Sequence, residues 1–127
     1  MHRIPVDHVG KECPSWADGI STLHYDKHLM SQQAELSSRA VTETVSVRTL
    51  SSVLSENDME EFDIVQIDTE GHDAVVFDQM WKAGLRPSIL LVERVYMTAA
   101  ELDKITTTLS IAGYNIFADA QDLLALK

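Results

Sequence analysis

The fold of this chain is decided by Phe62-Asp63-Ile64-Val65-Gln66-Ile67-Asp68-Thr69-Glu70-Gly71-His72-Asp73, where a short apolar run ends in carboxylates, a glycine and a histidine. Residues 64–67 predict a buried strand covered on both faces, and the helical spacing from Ala74 onward predicts a helix after it. Ligands bind at the carboxyl ends of strands in open α/β sheets. Residues 68–73 therefore predict a polar site at the carboxyl end of a strand in the sheet. The alternative is a solvated helix start with acidic caps.

Composition restricts the possible partners. The chain has 127 residues, of which 45% are hydrophobic, so residues 1–127 can form one domain with a real core. Its net charge of -10 would repel nucleic acid and anionic membranes. No apolar run approaches the roughly 18 residues of a membrane span, and the first residues lack the apolar core of a signal peptide. The single cysteine, Cys13, cannot form an internal disulfide. These features lead us to expect a cytoplasmic protein without a membrane span or a nucleic-acid partner.

The first part of the chain is the least regular. Residues 1–40 predict an irregular lead-in segment that is mainly loop. Val45 and Val47 alternate with polar residues, which predicts a half-buried strand. Thr49 can then cap a short helix, and residues 63–67 follow as the next strand.

The remainder alternates helices and strands. An apolar face between Val76 and Trp81 predicts a helix that Gly84 ends. Residues 88–93 predict a second buried strand. A capping box at residues 98–101 opens a helix that ends near Gly113, and two shorter strands follow. This order predicts an α/β fold with right-handed crossovers on a mostly parallel sheet flanked by helices, with a possible antiparallel hairpin at the end.

From about residue 45 to the end, the chain resembles the carboxyl-terminal half of FkbM-type methyltransferases. The resemblance rests on separated pieces in the family's order. They are Val47-Arg48-Thr49-Leu50, residues 63–73, residues 87–93, Gly113-Tyr114 and Asp122-Leu123-Leu124-Ala125. It implies a partial Rossmann-like methyltransferase fold that uses S-adenosylmethionine. The implied reaction is O-methylation of a hydroxyl on a small molecule, such as a sugar or natural product, or on a glycan or glycolipid acceptor.

The resemblance also implies roles for single residues. Asp68, Glu70 and Gly71 would bind the cofactor, with Gly71 allowing the turn from strand to helix. His72 and Asp68 would be the catalytic residues, because a histidine can accept the acceptor's proton near neutral pH. For His72, a helix-start histidine pointing to solvent is the alternative.

Two aspartates are expected to line the substrate. They are Asp73 and Asp122. The alternative for Asp73 is an acid in the first turn of a helix, which the helix dipole favours. The alternative for Asp122 is an aspartate that only stabilises a turn.

The sequence departs from the family in two ways. Gln66 replaces a frequent lysine and Asp73 a frequent glutamate. The chain also lacks the expected glycine-rich cofactor loop, since its five glycines are far apart. Without the strand that precedes this loop, residues 63–67 would expose an apolar edge. We therefore expect a homodimer, a separately encoded amino-terminal half, or the first forty residues to cover that edge. A noncatalytic interaction module is the alternative function.

A histidine pair is the remaining motif. His24 and His28 are four residues apart, a spacing that puts both on one face of a helix. No third ligand is identifiable, so we expect no metal site.

Overall fold

The computed structural model describes residues 1–5, 9–10, 13–17, 20–27 and 32–127. Two compact units divide the chain. The first comprises Met1–Ser46 and Glu70–His72, and the second comprises Val47–Thr69 and Asp73–Lys127. His28, which the sequence pairs with His24, lies outside the described residues.

The first unit is built from short elements. Strands β1 (His2–Arg3), β2 (Ser21–Thr22) and β3 (Val41–Thr42) form an antiparallel sheet in the order β2-β1-β3. Helix α1 (Ala34–Ser37) and 3-10 turns at Ser15–Ala17 and Tyr25–Lys27 also belong to this unit. A small cluster of buried residues holds it together: Ile4, Cys13, Ala17 and Leu36. Strands β1 and β2 of this sheet thus lie within the first forty residues, where the sequence predicts mainly loop.

The second unit alternates helices and strands. In chain order its elements are α2 (Leu50–Glu56), β4 (Ile64–Ile67), α3 (Asp73–Lys82), β5 (Ile89–Glu93), α4 (Ala99–Ile111), β6 (Asn115–Ala118) and β7 (Asp122–Leu126). The sheet order is β4-β5-β7-β6. Strands β4 and β5 are parallel, whereas β7 is antiparallel to both β5 and β6. The α/β class is confirmed, but the expected mostly parallel sheet is wrong because the β6–β7 hairpin places β7 beside β5.

Three helix ends in the second unit lie at residues that the sequence indicates. Thr49 accepts a hydrogen bond from the Ser52 N–H (3.2 Å) and caps α2. Thr98 and Glu101 form the predicted capping box of α4. Gly84 follows α3 in a left-handed conformation (φ 85°), which a residue with a Cβ adopts only at a cost.

The core lies on one face of the second unit's sheet. Register and burial place alternate residues of β4, β5 and β7 on that face with the apolar sides of all three helices. The buried residues are Leu54, Ile67, Phe77, Met80, Leu85, Leu90, Val92, Ile105, Leu109, Tyr114, Leu123 and Ala125.

The opposite face of the sheet is less covered. Ile64, Ile89 and Leu126 are register partners on it, and Ile64 is 65% exposed. The expectation that β4 is covered on both faces is therefore wrong, because α2, α3 and α4 all pack against the other face.

The strand predicted around Val45 and Val47 is also absent. Residues 43–49 contain no helix or strand, and Val47 is 74% exposed. Alternation alone does not make a strand, since the backbone of a strand needs a neighbour to hydrogen-bond with. No described strand pairs with this segment.

Candidate functional site

Three carboxylates lie level with one another at one end of the second unit's sheet. Glu93, the last residue of β5, is the register partner of Asp122, the first residue of β7. Asp68 follows Ile67, whose partner on β5 is Val92, so it is level with Glu93. Three acids, Asp68, Glu93 and Asp122, therefore form a row at this end of the sheet, which we call the acidic row. Such a row suits a cationic ligand.

A closed turn follows Asp68. The Asp73 carboxylate accepts hydrogen bonds from the Thr69 N–H (2.8 Å) and the Thr69 hydroxyl (3.0 Å). Asp73 is only 2% exposed, and it occupies the first turn of α3, where the helix dipole favours an acid. These contacts describe a structural carboxylate that fixes the start of α3.

The intervening residues reverse the chain through left-handed backbone. Glu70 has φ 52° and Gly71 has φ 99°. Glycine adopts such a conformation without strain, so Gly71 suits the sharp turn that the sequence predicts.

His72 contacts a second histidine within the first unit. Its Nδ1 lies 2.9 Å from Nε2 of His24, and the ring planes are 23° apart. This distance is shorter than the roughly 3.5 Å at which stacked rings touch, so the imidazoles meet edge to edge through one N–H···N hydrogen bond. One nitrogen donates and the other accepts, and the tautomers of the two rings are linked.

Thr22 fixes both histidine-bearing segments. Its hydroxyl donates to the Glu70 carbonyl (2.7 Å) and accepts from the His24 N–H (2.9 Å). Thr22 is 2% exposed, so both hydrogen bonds are shielded from water.

The hairpin that carries Asp122 is organised by Asp119. The Asp119 carboxylate accepts hydrogen bonds from the N–H groups of Gln121 and Asp122, both at 2.8 Å. These backbone donors, first that of Asp122 and then that of Gln121, hold the pKa of Asp119 below its usual value. The Arg94 guanidinium donates a hydrogen bond to the Asp119 carbonyl.

The structure groups the predicted residues differently from the sequence. Asp68 and Asp122 belong to the acidic row, with Glu93 between them. Glu70 and His72 belong with Thr22 and His24 in the first unit.

Thr22 and the role of His24 were missed. Both lie 48 residues from their partners, and no local pattern in the sequence connects them.

Neither a metal-binding cluster nor a membrane-spanning helix occurs in the described part of the chain. It contains no group of three or more histidine, cysteine or acidic side chains arranged to hold a metal ion. Its helices are all too short or too polar to cross a membrane.

Comparison with known proteins gives one match. A family model described as a methyltransferase FkbM domain matches residues 4–116. No curated protein and no solved structure matches the chain. The match starts well before residue 45, where the resemblance was expected to begin, and so includes the irregular lead-in. It ends before Asp122, which therefore gains no support from it.

Proposed function

This chain belongs to the FkbM methyltransferase family, and from that premise we propose that it transfers a methyl group from S-adenosylmethionine to a hydroxyl group on a sugar, glycolipid or natural product. The observation that carries the proposal is the acidic row at the carboxyl ends of β4 and β5. Membership of the family supports methyl transfer. Three further points are parts of our proposal: that S-adenosylmethionine is the cofactor, that the acceptor is a hydroxyl group, and that the sheet belongs to a Rossmann-like fold.

The acids fit the proposed cofactor. When bound, S-adenosylmethionine supplies an electrophilic methyl group on a sulfonium, and its ammonium group adds a second positive charge. Asp68 is exposed at the end of β4, where a carboxylate can accept hydrogen bonds from an ammonium or hydroxyl group. We assign Asp68 to cofactor binding and to orienting the acceptor hydroxyl.

His72 is assigned as the general base. Its Nδ1 is engaged with His24, so an acceptor proton must be taken up at Nε2. Nε2 has a free lone pair only if Nδ1 carries the hydrogen and donates it to His24. His24 is therefore a positioning residue that selects the reactive tautomer of His72 and stabilises the imidazolium formed after proton transfer.

The other assigned residues have narrower roles. Gly71 provides the left-handed turn, and Glu70 contributes its side chain to cofactor binding while its carbonyl is held by Thr22. Asp73 is buried and bonded to Thr69, so we assign it to the start of α3 instead of to substrate. Asp122 remains a proposed rim residue for the acceptor.

A methyl-transfer assay tests the proposal. The chain would be incubated with S-adenosylmethionine labelled in the methyl group and a panel of sugars, glycolipids and polyols, and labelled product would be counted. We expect His72→Ala to lower the rate by about 10²–10⁴-fold, the usual contribution of a general base. The matched control is Asp103→Asn, an exposed acid on α4, which should keep the full rate.

Variants of His24 test whether this residue acts by positioning His72 or only by supporting the folded structure. His24→Gln keeps a side-chain oxygen that can accept the Nδ1–H of His72 and should retain most activity. His24→Ala removes the acceptor and should lower kcat more than it changes KM. Equal rates for both His24 variants and the unaltered chain would contradict the proposed role.

A noncatalytic interaction module is the second candidate. The exposure of β4 at the sheet edge favours it, because unpaired strand edges are recognition surfaces. Absence of transfer to every acceptor, together with retained binding of another polypeptide at that edge, would favour this function.

A further inference from the structure

The edge of the sheet at β4 has an unpaired backbone. Among the described residues, β4 pairs with β5 alone and ends the order β4-β5-β7-β6. The Asp63 carbonyl accepts from the Ile89 N–H at 2.9 Å, which fixes the alternation of the parallel ladder. Residues 63, 65 and 67 point their backbone groups toward β5. The N–H and C=O groups of Ile64 and Gln66 consequently point to the open edge.

Apolar surface accompanies these backbone groups. On one side of the edge, an apolar groove of about 300 Å³ lies between β4 and helices α2 and α3. Leu50, Leu54, Val76 and Met80 contribute to its lining. On the other side, the side chain of Ile64 is 65% exposed. A strand added here would therefore find apolar contacts for alternate side chains on both of its faces.

The charge around the edge indicates which strand fits. Glu60, Glu61 and Asp63 are exposed just before β4 and line a neighbouring cavity of about 610 Å³. Arg86 lies in the same cavity, but its guanidinium is 3.5 Å from the ring centre of Trp81 and donates to the carbonyls of Trp81 and Leu85. The whole chain carries a net charge of -10. A second copy would bring equal negative charge to this edge, whereas a cationic segment would be attracted to it.

We propose that the β4 edge binds an extended segment of another polypeptide, with apolar residues at alternate positions and basic residues flanking them. The segment adds a strand beside Ile64–Ile67 through the backbone groups of Ile64 and Gln66. Its basic flanks lie near Glu60, Glu61 and Asp63. This binding does not depend on the proposed methyl transfer, so each can fail without the other.

Fluorescence anisotropy with synthetic peptides tests the proposal. The probe is a labelled peptide with an alternating valine–threonine core and two lysines at each end. Its controls are the same core with glutamate ends, and the lysine peptide with N-methylated core amides. We expect saturable binding of the lysine peptide, at least about tenfold weaker binding of the glutamate peptide, and no binding of the N-methylated one.

Variants of the chain locate the site. Gln66→Pro removes an N–H that points away from β5, so it should abolish peptide binding without breaking the β4–β5 ladder. Glu61→Lys combined with Asp63→Lys should reverse the preference between the lysine and glutamate peptides. Asp103→Lys makes the same kind of charge change on α4 and serves as the control. It should still bind the lysine peptide more tightly than the glutamate peptide.

Several results would overturn the proposal. These are equal binding of the two charged peptides, unchanged binding to a folded Gln66→Pro chain, or no binding of the lysine peptide. If the unaltered chain sediments as a dimer and the Gln66→Pro chain as a monomer, a second copy of the chain occupies the edge. If Gln66→Pro fails to fold by circular dichroism, the N-methylated peptide decides, since its equal binding would exclude strand addition.

Discussion

Thr22 joins two segments that are far apart in sequence. Its buried hydroxyl bonds both the Glu70 carbonyl and the His24 N–H. Thr22→Val keeps the shape of the side chain but removes both hydrogen bonds, each worth about 1 kcal/mol. We expect the His24 amide to exchange with solvent at least about fivefold faster, as measured by NMR. Thr22→Ser keeps the hydroxyl and should exchange at the original rate; similar rates for the valine and serine variants would count against the Thr22 contacts.

The hydrogen bonds of Asp119 predict how the stability of the folded chain changes with pH. Its folded pKa lies below the usual value for an aspartate because the backbone N–H groups of Asp122 and Gln121 donate hydrogen bonds to the carboxylate. The stabilisation is therefore present above the unfolded pKa and lost as pH falls through the folded pKa. In thermal unfolding, Asp119→Ala should be less stable than the unaltered chain at neutral pH, and the gap should narrow in acid.

Asp119→Asn provides the control for this prediction. It keeps an oxygen that accepts the two N–H bonds but does not ionise, so its stability should not follow the same acid titration. A difference in thermal stability between Asp119→Ala and the unaltered chain that stays constant into strong acid would contradict stabilisation by the ionised Asp119 carboxylate.

Single residues were predictable where their role is local. Asp68 and Gly71 lie at a change from strand to helix spacing, and that change is visible in the sequence. The His24–His72 pair was not predictable, because helical spacing favours His24 with His28 and only tertiary structure brings His72 to it.

Helix α4 offers a matched test of the core. Leu109 is fully buried, whereas Ile111 on the same helix is 83% exposed. Leu109→Ala should lower the free energy of unfolding by about 2–5 kcal/mol, the cost of removing buried methyl groups and leaving a cavity. Ile111→Ala should change it by no more than about 0.5 kcal/mol. Urea denaturation measures both, and similar losses for the two variants would show that the helix faces are assigned incorrectly.

Elements with strong local signals were predictable. The capping box at Thr98, the Thr49 cap and the left-handed Gly84 specify helix ends without reference to the rest of the fold. The strand expected around Val45 failed because alternation does not supply a pairing partner. The direction of β7 was also uncertain from sequence, since either direction gives the same alternation of Leu123 to Leu126.

At the scale of the whole molecule, the net charge of -10 should oppose compact structure. Raising the NaCl concentration from about 0.01 M to about 0.15 M shortens the screening length from about 30 Å to about 8 Å. We expect the Tm to rise over this range because repulsion among the carboxylates is screened. A Tm that falls steadily with NaCl would show that attractive ion pairs, such as Lys104–Asp78, outweigh the repulsion.

Family membership rests on most of the chain, whereas the proposed cofactor role of Asp68 rests on the acidic row. Isothermal titration calorimetry with S-adenosylmethionine tests that claim most directly. S-adenosylhomocysteine would be titrated in parallel, and Asp68→Asn compared with the control Asp103→Asn. We predict saturable binding that Asp103→Asn retains and Asp68→Asn weakens by about tenfold or more, the loss expected for a charge-assisted hydrogen bond. No heat from a folded chain at millimolar ligand, or equal affinity in both variants, would contradict a cofactor site at the end of β4.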